Sequence, residues 1–489
     1  MVKKLDRHLL AEPPKNVSVP AYEPQSLKPG ILHIGVGNFH RAHQAFYLDR
    51  LFNMGLDLDW AIIGSGVKPQ DAAMRETLKA QDWLTTIVEL DPSGLSAMVC
   101  GAMIDYIDVD PASIIATLTR PEIRIVSLTI TEGGYFVDPQ TGGFDVGHPD
   151  IVADIETPSA PRTVFGILIA GLRRRRELGH APFTVMSCDN LPENGHATRN
   201  AVIGLGREMD PELARWMKEN VAFPNGMVDC ITPATSERER DLVRSKFDLD
   251  DAAPVVCEPF RQWVLEDNFP AGRPALENAG VQFVDDVAPY ELVKLRILNG
   301  GHAAIAYPAA LLGIEFAHEA MANPLVRGYL DRLVHEEIIP VIPASENIDP
   351  FAYYERAAER FSNSAVRDTI ARLCLDGSNR QPKFILPSIS ERLAKGLPVE
   401  GLVLEVALWC RYCTGTDEAG NPIILDDENA GLLRQKAKRA RKEPAAFLEM
   451  DQVFGPLAHH SGFRSAFADT LQLVWQKGAT AALENYLRD

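Results

Sequence analysis

The sequence lacks the marks of a secreted or membrane-spanning protein. Its seven cysteines are an odd number scattered over 489 residues, which excludes a disulfide framework and suits a reducing compartment. The N-terminus, MVKKLDRHLLAEPPK, is basic but has no apolar segment of the kind a signal peptide requires. The most apolar later stretch, 303–314, is short and contains Pro308, so we expect no membrane span. These absences predict a cytoplasmic protein.

Positive charge is also scarce. The chain has 49 Lys+Arg against 67 Asp+Glu, a formal net charge of −18. Because binding to nucleic acid requires basic side chains that displace phosphate counterions, we expect no nucleic-acid partner. The 46% apolar content is sufficient for a sizeable core, and the length allows two or three domains.

One cysteine pair has the spacing of a redox motif. Cys410 and Cys413 form a C-x-x-C within the apolar run LVLEVALWCRYC. A redox pair is expected at an exposed helix N-terminus, whereas this run predicts a buried helix. We therefore interpret both thiols as core side chains.

The first half of the chain alternates between strand-like and helix-like patterns. After an N-terminal arm, short apolar runs predict strands, and helical patterns lie between them. Strands that are apolar on both faces and separated by helices indicate an α/β domain with a mainly parallel, Rossmann-type sheet covered on both sides. The predicted strands are 30–36, 60–67, 123–131 and 183–188, and the predicted helices are 38–53, 71–80 and 162–178.

Strand signals fade after about residue 287. The helical patterns that follow predict a mostly α-helical C-terminal domain. The predicted organisation is therefore a dinucleotide-binding domain with an N-terminal arm over 1–287 and a helical substrate domain over 288–489. The predicted helices of this second domain are 291–307, 324–339, 365–375, 402–412 and 466–488.

A glycine-rich turn follows the first predicted strand. Gly35 and Gly37 allow the backbone to approach a pyrophosphate, and the N-terminus of the next helix offers free N–H groups to it. The third glycine of the usual dinucleotide pattern is replaced by His40, so a plain strand–helix turn without a ligand remains an alternative. No acidic residue ends the second strand, and Asp71 comes slightly later. We predict NAD as cofactor, with NADP left open.

Polar residues that could carry chemistry begin the helical half. Lys294, Asn299 and His302 fall within an arc of roughly 140° on an ideal helix. A lysine in an apolar setting can have its pKa lowered enough to act as a base, and an asparagine N–H can stabilise a developing alkoxide. A surface lysine with a packing histidine is the alternative. Neither His40 and His43 nor His318 and Glu319 complete a metal-ligand set, so we expect no metal.

A second polar cluster follows the strand predicted at 183–188. It contains Asn190 and lies where ligands bind in open α/β sheets, beyond the carboxyl end of a strand. A turn before Pro192 built on Asx side chains is the alternative interpretation.

Six motifs in order resemble one known family, the polyol-specific long-chain dehydrogenases, over nearly the whole chain. They are IGVGNFHRAHQAFYLD (34–49), SLTITEGGYF (127–136), TVMSCDNLPENG (184–195), FPNGMVDCITP (223–233), VCEPFRQWVLED (256–267) and KLRILNGGHAAIAY (294–307). The resemblance implies NAD-dependent, metal-free oxidation of a secondary alcohol to a ketone, as in D-mannitol to D-fructose, by a monomer.

The resemblance also implies residue roles. Lys294 is the general base, Asn190 and Asn299 polarise the reacting oxygen, His302 positions the substrate and Lys294, and Glu132 relays the released proton to water. Asp229, Arg372 and, less directly, Lys383 contact substrate hydroxyls. Asp71 binds the adenosine ribose. The cofactor-binding turn comprises Ile34, Gly35, Val36, Gly37, Asn38, Phe39, His40 and Arg41. Gly301 departs from the serine that the resemblance leads us to expect.

Several alternatives remain within and outside this family. D-arabinitol or D-sorbitol could be the substrate, or the chain could reduce a hexuronate such as fructuronate or tagaturonate. A uronate carboxylate requires a cation, which Arg372 or Lys383 could supply. A non-enzymatic cofactor sensor on the same scaffold is disfavoured because Lys294 and Asn299 are both present.

Overall fold

The computed structural model describes residues 2–138 and 142–488. Over this part of the chain the structure divides into two compact units, the first ending at Ala288 and the second beginning at Pro289. None of the described helices is both long and apolar enough to cross a membrane.

A five-stranded parallel sheet organises the first unit. Its strands in chain order are β1 (Pro29–Ile34), β2 (Ala61–Ser65), β3 (Met103–Tyr106), β4 (Ile125–Leu128) and β5 (Thr184–Ser187). They lie in the order β3-β2-β1-β4-β5, and every neighbouring pair is parallel. This is the strand order of a Rossmann-type fold, in which ligands bind beyond the carboxyl ends at the point where the order reverses. The α/β prediction is confirmed.

The strands β1, β2, β4 and β5 are buried on both faces, whereas Asp105 in β3 is exposed. Ile31 and Ile62 belong to one apolar core, whereas Leu32 and Ile63 belong to a second. Successive side chains of a strand point to opposite faces, so the two cores lie on opposite sides of the sheet. Helices of this unit are Asn38–Ala42, Gln44–Asn53, Pro69–Lys79, Pro111–Leu118, Pro149–Glu156, Val164–Leu178, Asn194–Met209, Pro211–Asn220 and Glu237–Phe247.

Three smaller sheets accompany the central one. Two strands of the N-terminal arm belong to these sheets. Lys3–Lys4 pairs with Leu249–Asp250, and Val17–Ser18 pairs with Ser96–Cys100. The arm is therefore hydrogen-bonded to the rest of the unit. The four-stranded sheet consists of Val255–Cys257, Thr85–Glu89, Ser96–Cys100 and Val17–Ser18. The three-stranded sheet consists of Gly226–Asp229, Gln262–Glu266 and Gln282–Val284. The two-stranded sheet consists of Lys3–Lys4 and Leu249–Asp250.

The second unit is helical around a single apolar core, which confirms the mostly helical prediction. Its α-helices are Ala288–Val293 (which begins at the boundary), Gly300–Leu311, Ala317–Ala322, Pro324–Arg332, Pro350–Phe361, Ile370–Leu373, Gly377–Phe384, Leu386–Ala394, Glu400–Tyr412, Ala430–Ala440, Ala445–Leu448, Asp451–Phe454 and Ser461–Arg488. Two segments, Lys294–Asn299 and Leu333–Ile338, are π-helical. Cys410 and Cys413 are both buried and free, as predicted.

Five helix predictions are wrong in detail. The helix predicted over 324–339 contains the π-helical segment Leu333–Ile338. The helix predicted over 38–53 is interrupted at His43, where ψ is −84°. The helix predicted over 365–375 shrinks to Ile370–Leu373, since Arg367 has a left-handed φ of 53° that no right-handed helix can include. The final helix bends at Gly478, with φ 85° and ψ 170°. The helix predicted over 291–307 contains the π turn described below.

Candidate functional site

The turn after β1 is held by backbone contacts that only glycine allows. Gly35 has φ +103°, and a Cβ there would lie 2.0 Å from the carbonyl oxygen of Thr129. Its own carbonyl accepts hydrogen bonds from the Thr129 hydroxyl at 2.5 Å and from the Gly37 N–H at 2.8 Å. Gly37 is the N-cap of the short helix Asn38–Ala42. The turn therefore lies at the carboxyl edge of the sheet, between the ends of β1 and β4. Gly35, which makes the closest contact with Thr129, has no side chain there.

A buried histidine supports this turn from below. His33 contacts the Ser127 hydroxyl through Nδ1 at 2.8 Å, and it contacts Thr129 Oγ1 at 3.0 Å through Nε2. Its ring stacks on that of His40 with 3.5 Å between centroids. Burial lowers the pKa of His33 to about 3, so the ring is neutral. Among the described residues neither ring nitrogen of His40 has a hydrogen-bond partner.

The predicted cofactor residues of the helix that follows point into the protein. The Arg41 guanidinium is buried and donates to the Asn38 side chain at 2.8 Å and to the carbonyl of Ala253. The Asn38 amide donates to Thr235 Oγ1 at 2.9 Å. Burial lowers the pKa of Arg41 to about 10. These side chains therefore hold the loops around the turn. Phe39 stacks on the His43 ring, with 4.8 Å between centroids.

Asp71 reaches the end of β2 although it lies six residues later in the sequence. Its Oδ2 accepts the N–H groups of Val67 at 3.0 Å and Lys68 at 2.9 Å. A Cβ on Gly66 would lie 2.3 Å from the Asp71 Cβ. The carboxylate is therefore placed where Rossmann-type folds bind the adenosine ribose. Together with the glycine turn, it fits the requirements of a dinucleotide.

Two predicted polar residues follow neighbouring strands at the same edge. Glu132 comes after β4 and Asn190 after β5, and both are exposed. Between them lies the carboxylate of Asp189, which accepts the N–H groups of Ile130 and Thr131, both at 2.9 Å. Asp189 thus joins the two loops. It was not among the predicted site residues, although its position directly after a strand was a usable signal.

Asp229 is connected to the same edge through a buried asparagine. The Asn194 side chain donates to the Gly226 carbonyl at 2.7 Å and to the Asp189 carbonyl at 3.1 Å, and it accepts the Gly226 N–H at 2.9 Å. Gly226 begins the strand that ends at Asp229, whose side chain is buried. The first unit therefore gathers Glu132, Asn190 and Asp229 around one hydrogen-bonded framework.

In the second unit, Lys294 and Asn299 are the first and last residues of a π turn. The Gly300 N–H donates to the carbonyl of Leu295, five residues earlier, which is the hydrogen bond of a π-helix. In such a turn, residues five apart lie on nearly the same side of the helix. Lys294 and Asn299 are therefore closer to the same side than they would be in the uninterrupted α-helix that was predicted. Lys294 is buried, with 7% of its surface exposed. Single π turns in α-helices are frequent at functional sites.

Arg296 anchors this turn and was missed by the sequence analysis. Its guanidinium is buried and donates to the Ser388 hydroxyl at 2.5 Å and to a Glu391 carboxylate oxygen at 2.6 Å. Both partners belong to the helix Leu386–Ala394. Because these partners lie 92 and 95 residues away in sequence, no local pattern could have revealed them.

His302 has an unused nitrogen close to several cations. Its ring packs on Phe361, with 4.1 Å between centroids, and its buried Nε2 has no hydrogen-bond partner among the described residues. Burial and the nearby guanidinium of Arg372, followed by those of Arg360 and Arg380, hold the pKa of His302 well below its usual value. The ring is therefore neutral, and Nε2 can bond to a hydroxyl group.

The remaining predicted residues of this unit lie near the same turn. Arg372 forms a two-point ion pair with Asp368, with both N–O distances 2.5 Å. Lys383 is exposed on the helix Gly377–Phe384. The carbonyl of the next residue, Phe384, would be 3.4 Å from a Cβ on Gly300. No group of three or more His, Cys, Asp or Glu in the described residues could hold a metal ion.

Comparison with known proteins identifies the family. The mannitol dehydrogenase Rossmann domain model matches residues 29–278, and the mannitol dehydrogenase C-terminal domain model matches residues 286–475. The chain belongs to the mannitol dehydrogenase family.

Relatives in this family match along nearly the whole of this chain. Mannitol 2-dehydrogenase of Cereibacter sphaeroides is 55% identical over 97% of this chain and 99% of its own. Mannitol 2-dehydrogenase of Phaeosphaeria nodorum is 42% identical over 96% of this chain and 84% of its own.

Two solved structures match both units of this mannitol dehydrogenase family member. Pseudomonas fluorescens mannitol 2-dehydrogenase, in ternary complex with NAD and D-mannitol, has a TM-score of 0.90 and 41% identity, covering 100% of both chains. A substrate-free D-sorbitol dehydrogenase has a TM-score of 0.90 and 36% identity, covering 99% of this chain and 100% of its own.

Proposed function

We propose that this mannitol dehydrogenase family member catalyses the reversible, NAD-dependent oxidation of D-mannitol to D-fructose. The observation that carries this proposal is the presence in one chain of a glycine turn shaped for a dinucleotide and of a π turn that contains Lys294 and Asn299. Relatives named mannitol 2-dehydrogenase, 55% and 42% identical over almost the whole chain, support the substrate.

NAD would be held by the first unit. The bare backbone at Gly35 and Gly37 leaves room for the pyrophosphate, and Asp71 would accept hydrogen bonds from the adenosine ribose. A carboxylate at this position would repel the 2′-phosphate of NADP, which favours NAD. When bound, the nicotinamide supplies the hydride acceptor for the alcohol carbon. Ile34, Val36 and Phe39 complete the turn, while His40, Arg41 and Asn38 keep its shape from within.

The second unit would supply the base. We assign Lys294 to remove the proton of the substrate hydroxyl and Asn299 to donate to the developing alkoxide. His302, neutral and with Nε2 unused, would accept a substrate hydroxyl and hold the substrate near Lys294. Arg372 and Lys383 are assigned to further substrate hydroxyls.

Three residues of the first unit complete the assignment. Asn190 would donate to the reacting oxygen, Asp229 would bind a substrate hydroxyl, and Glu132 would pass the released proton to water. The exposed position of Glu132 supports that last role, because a relay to solvent must reach it.

A neutral polyol fits the second unit better than a uronate. Of the two cations predicted to bind a uronate carboxylate, Arg372 and Lys383, Arg372 is already paired at two points with Asp368. D-Sorbitol is the second candidate substrate, because a D-sorbitol dehydrogenase has the same fold at 36% identity.

We also propose that the enzyme works as a monomer. Stable subunit association usually buries a continuous apolar surface. The large apolar side chains exposed in the described part of the chain come from separate elements, for example Leu178, Phe351, Leu397 and Ile424. Sedimentation velocity at micromolar concentration tests this, and a species of twice the chain mass would contradict it.

Initial rates of NADH formation test the proposed function. The purified protein is assayed with D-mannitol, D-sorbitol, D-arabinitol and D-mannonate, each with NAD+ and with NADP+. We expect the highest kcat/KM for D-mannitol with NAD+. A higher value for D-mannonate would contradict the assignment to polyols, and a higher value with NADP+ would contradict the role of Asp71.

A further inference from the structure

Two cysteines far apart in sequence lie together in the first unit. The Glu258 N–H donates to the carbonyl of Ile231 at 3.0 Å, and the Ile231 N–H donates to the Glu258 side chain at 2.6 Å. These bonds hold the segments that carry Cys230 and Cys257 side by side, close enough for each side chain to influence the pKa of the other. Neither the proposed catalytic mechanism nor the cofactor site uses this pair.

A guanidinium group contacts one of the two sulfurs. Arg261 Nη2 donates to Cys257 Sγ at 3.0 Å, and Nη1 of the same side chain pairs with Glu89 at 2.5 Å. Arg261 is fixed further by a hydrogen bond to the Ala42 carbonyl at 2.8 Å and by stacking on Phe46 at 3.7 Å. The sulfur therefore faces a cation that three further contacts hold in position.

The charges around the pair favour a thiolate on Cys257. The hydrogen bond from Cys230 lowers the pKa of Cys257, and Arg261 acts in the same direction, against burial and the carboxylates of Glu89 and Glu258. The thiolate is the form of cysteine that reacts with oxidants, and nearby Arg or Lys side chains increase its population. Cys257 has no exposed surface, whereas Cys230 is 8% exposed, so one edge of the pair reaches solvent.

The C-x-x-C pair provides an internal comparison. Cys410 and Cys413 are also buried, but burial raises the pKa of both thiols well above the usual value. The motif that resembles a redox pair in sequence therefore has the environment of inert core thiols. The pair without a sequence motif has the environment of a reactive one.

We propose that Cys230 and Cys257 are a thiol pair that a hydroperoxide converts to a disulfide. The Cys257 thiolate attacks the peroxide, so that an S–O bond forms, the O–O bond breaks and the distal oxygen leaves as water or an alcohol. Cys230 then attacks the sulfur of the resulting sulfenic acid, the S–S bond forms, and the hydroxyl leaves as water with the Cys230 proton. Two thiols are oxidised by two electrons, and one peroxide is reduced.

The disulfide would form beside a predicted substrate residue. Cys230 directly follows Asp229, the last residue of the strand Gly226–Asp229. Thr232 also contacts the Cys230 sulfur, at 3.7 Å. Oxidation would therefore tie the segment that carries Asp229 to the strand Val255–Cys257. The proposal itself concerns only the covalent step and does not depend on the substrate.

Thiol titration after peroxide treatment tests the proposal on the unmodified protein. The chain is exposed to hydrogen peroxide, quenched, denatured and titrated with DTNB, and its peptides are mapped by mass spectrometry. The chain has seven cysteines, and we expect the number of free thiols to fall by two, with Cys230 and Cys257 linked by a disulfide. Dithiothreitol should restore the original number. A count that stays at seven, or a link between Cys410 and Cys413 in place of this one, would overturn the proposal.

Single variants identify which sulfur reacts first. In Cys230→Ser we expect Cys257 to stop at the sulfenic acid and to be labelled by dimedone. In Cys257→Ser we expect Cys230 to remain a thiol. Cys410→Ser is the matched control, with the disulfide forming at the rate of the parent protein. Dimedone labelling of Cys230 but not Cys257 would contradict the assignment of the thiolate.

Discussion

Arg372 and Asp368, four residues apart in the sequence, form a two-point ion pair, with Nε and Nη2 each 2.5 Å from a carboxylate oxygen. The Asp368 side chain is only 10% exposed, whereas that of Arg372 is 47% exposed. The guanidinium can therefore still meet a substrate while its charge is largely balanced by the protein. A neutral hydroxyl suits such a group better than a second carboxylate does.

This pair predicts a change of substrate preference in Asp368→Asn. The amide keeps the shape of the side chain but removes its charge. The Arg372 guanidinium then loses the anion that balances it here, which favours a substrate carboxylate. We expect the ratio of kcat/KM for D-mannonate to that for D-mannitol to rise about five- to tenfold, equivalent to roughly 1 kcal/mol. Asp469→Asn, which removes the charge of an exposed carboxylate elsewhere in the same unit, serves as a control for a general charge effect, and an equal rise there would contradict the prediction.

Lys294→Ala tests the proposed base. Because general base catalysis contributes about 10²–10⁴-fold to rate, we expect kcat for D-mannitol to fall by that amount. NADH binding, followed by quenching of protein fluorescence, should be retained since Lys294 is not assigned to the cofactor. Lys395→Ala removes an exposed lysine of the same unit and should leave turnover unchanged. Unaltered kcat in Lys294→Ala would exclude this lysine as the base.

Gly35→Ala tests the dinucleotide turn. A methyl group there would meet the Thr129 carbonyl at 2.0 Å in a backbone conformation with φ +103°, so the turn must shift. We expect KM for NAD+ to rise about tenfold or more, equivalent to at least ~1.4 kcal/mol. Gly431→Ala is the control, because a Cβ at this glycine, which lies outside the dinucleotide turn, would have nothing within 4 Å. Equal effects of the two substitutions would show that shape at Gly35 is unimportant.

Glu405 predicts a pH-dependent stability of the second unit. Burial raises its pKa from 4.5 to about 8 in the folded protein. The folded state therefore keeps a proton that the unfolded state releases. The resulting stabilisation is fully present below pH 4.5 and is lost as the pH rises to about 8.

Denaturant unfolding of Glu405→Gln measures this contribution. Between about pH 5 and pH 8 the free energy of unfolding of the parent should fall relative to the variant by about 1.4 kcal/mol per pH unit. The amide can still accept the hydrogen bond that Gln381 donates to Glu405 at 2.6 Å, and it cannot ionise. Parallel pH profiles for the two proteins would refute the assignment.

Patterns within a short stretch of sequence predicted much of the fold. The strands β1, β2, β4 and β5 were predicted from runs apolar on both faces, because central strands of a parallel sheet are buried on both sides. The strands Thr85–Glu89 and Ser96–Cys100 were missed. They form the central antiparallel pair of a small four-stranded sheet, and residues such as Glu89 and Ser96 interrupt the apolar pattern.

Part of the candidate site could also be predicted from patterns within a short stretch of sequence. Lys294, Asn299 and His302 share one continuous segment, so their proximity follows from local spacing. The ion pair of Arg372 with Asp368 is also local in sequence. By contrast, Ser388 binds Arg296, and Asp189 binds the loop after β4, through contacts between segments that are distant in sequence. Asp71 was found through the family resemblance, since only the folded chain brings it to the end of β2.

The π turn at Lys294–Asn299 also bears on how such a site can change. A π turn is equivalent to one extra residue looped into an α-helix, which leaves the helical segments on either side intact. The geometry of the π turn can therefore change while the helix Gly300–Leu311 keeps its packing in the core of the second unit. A single-residue insertion or deletion at this turn could create or remove the alignment of Lys294 with Asn299 without rebuilding the helices around it.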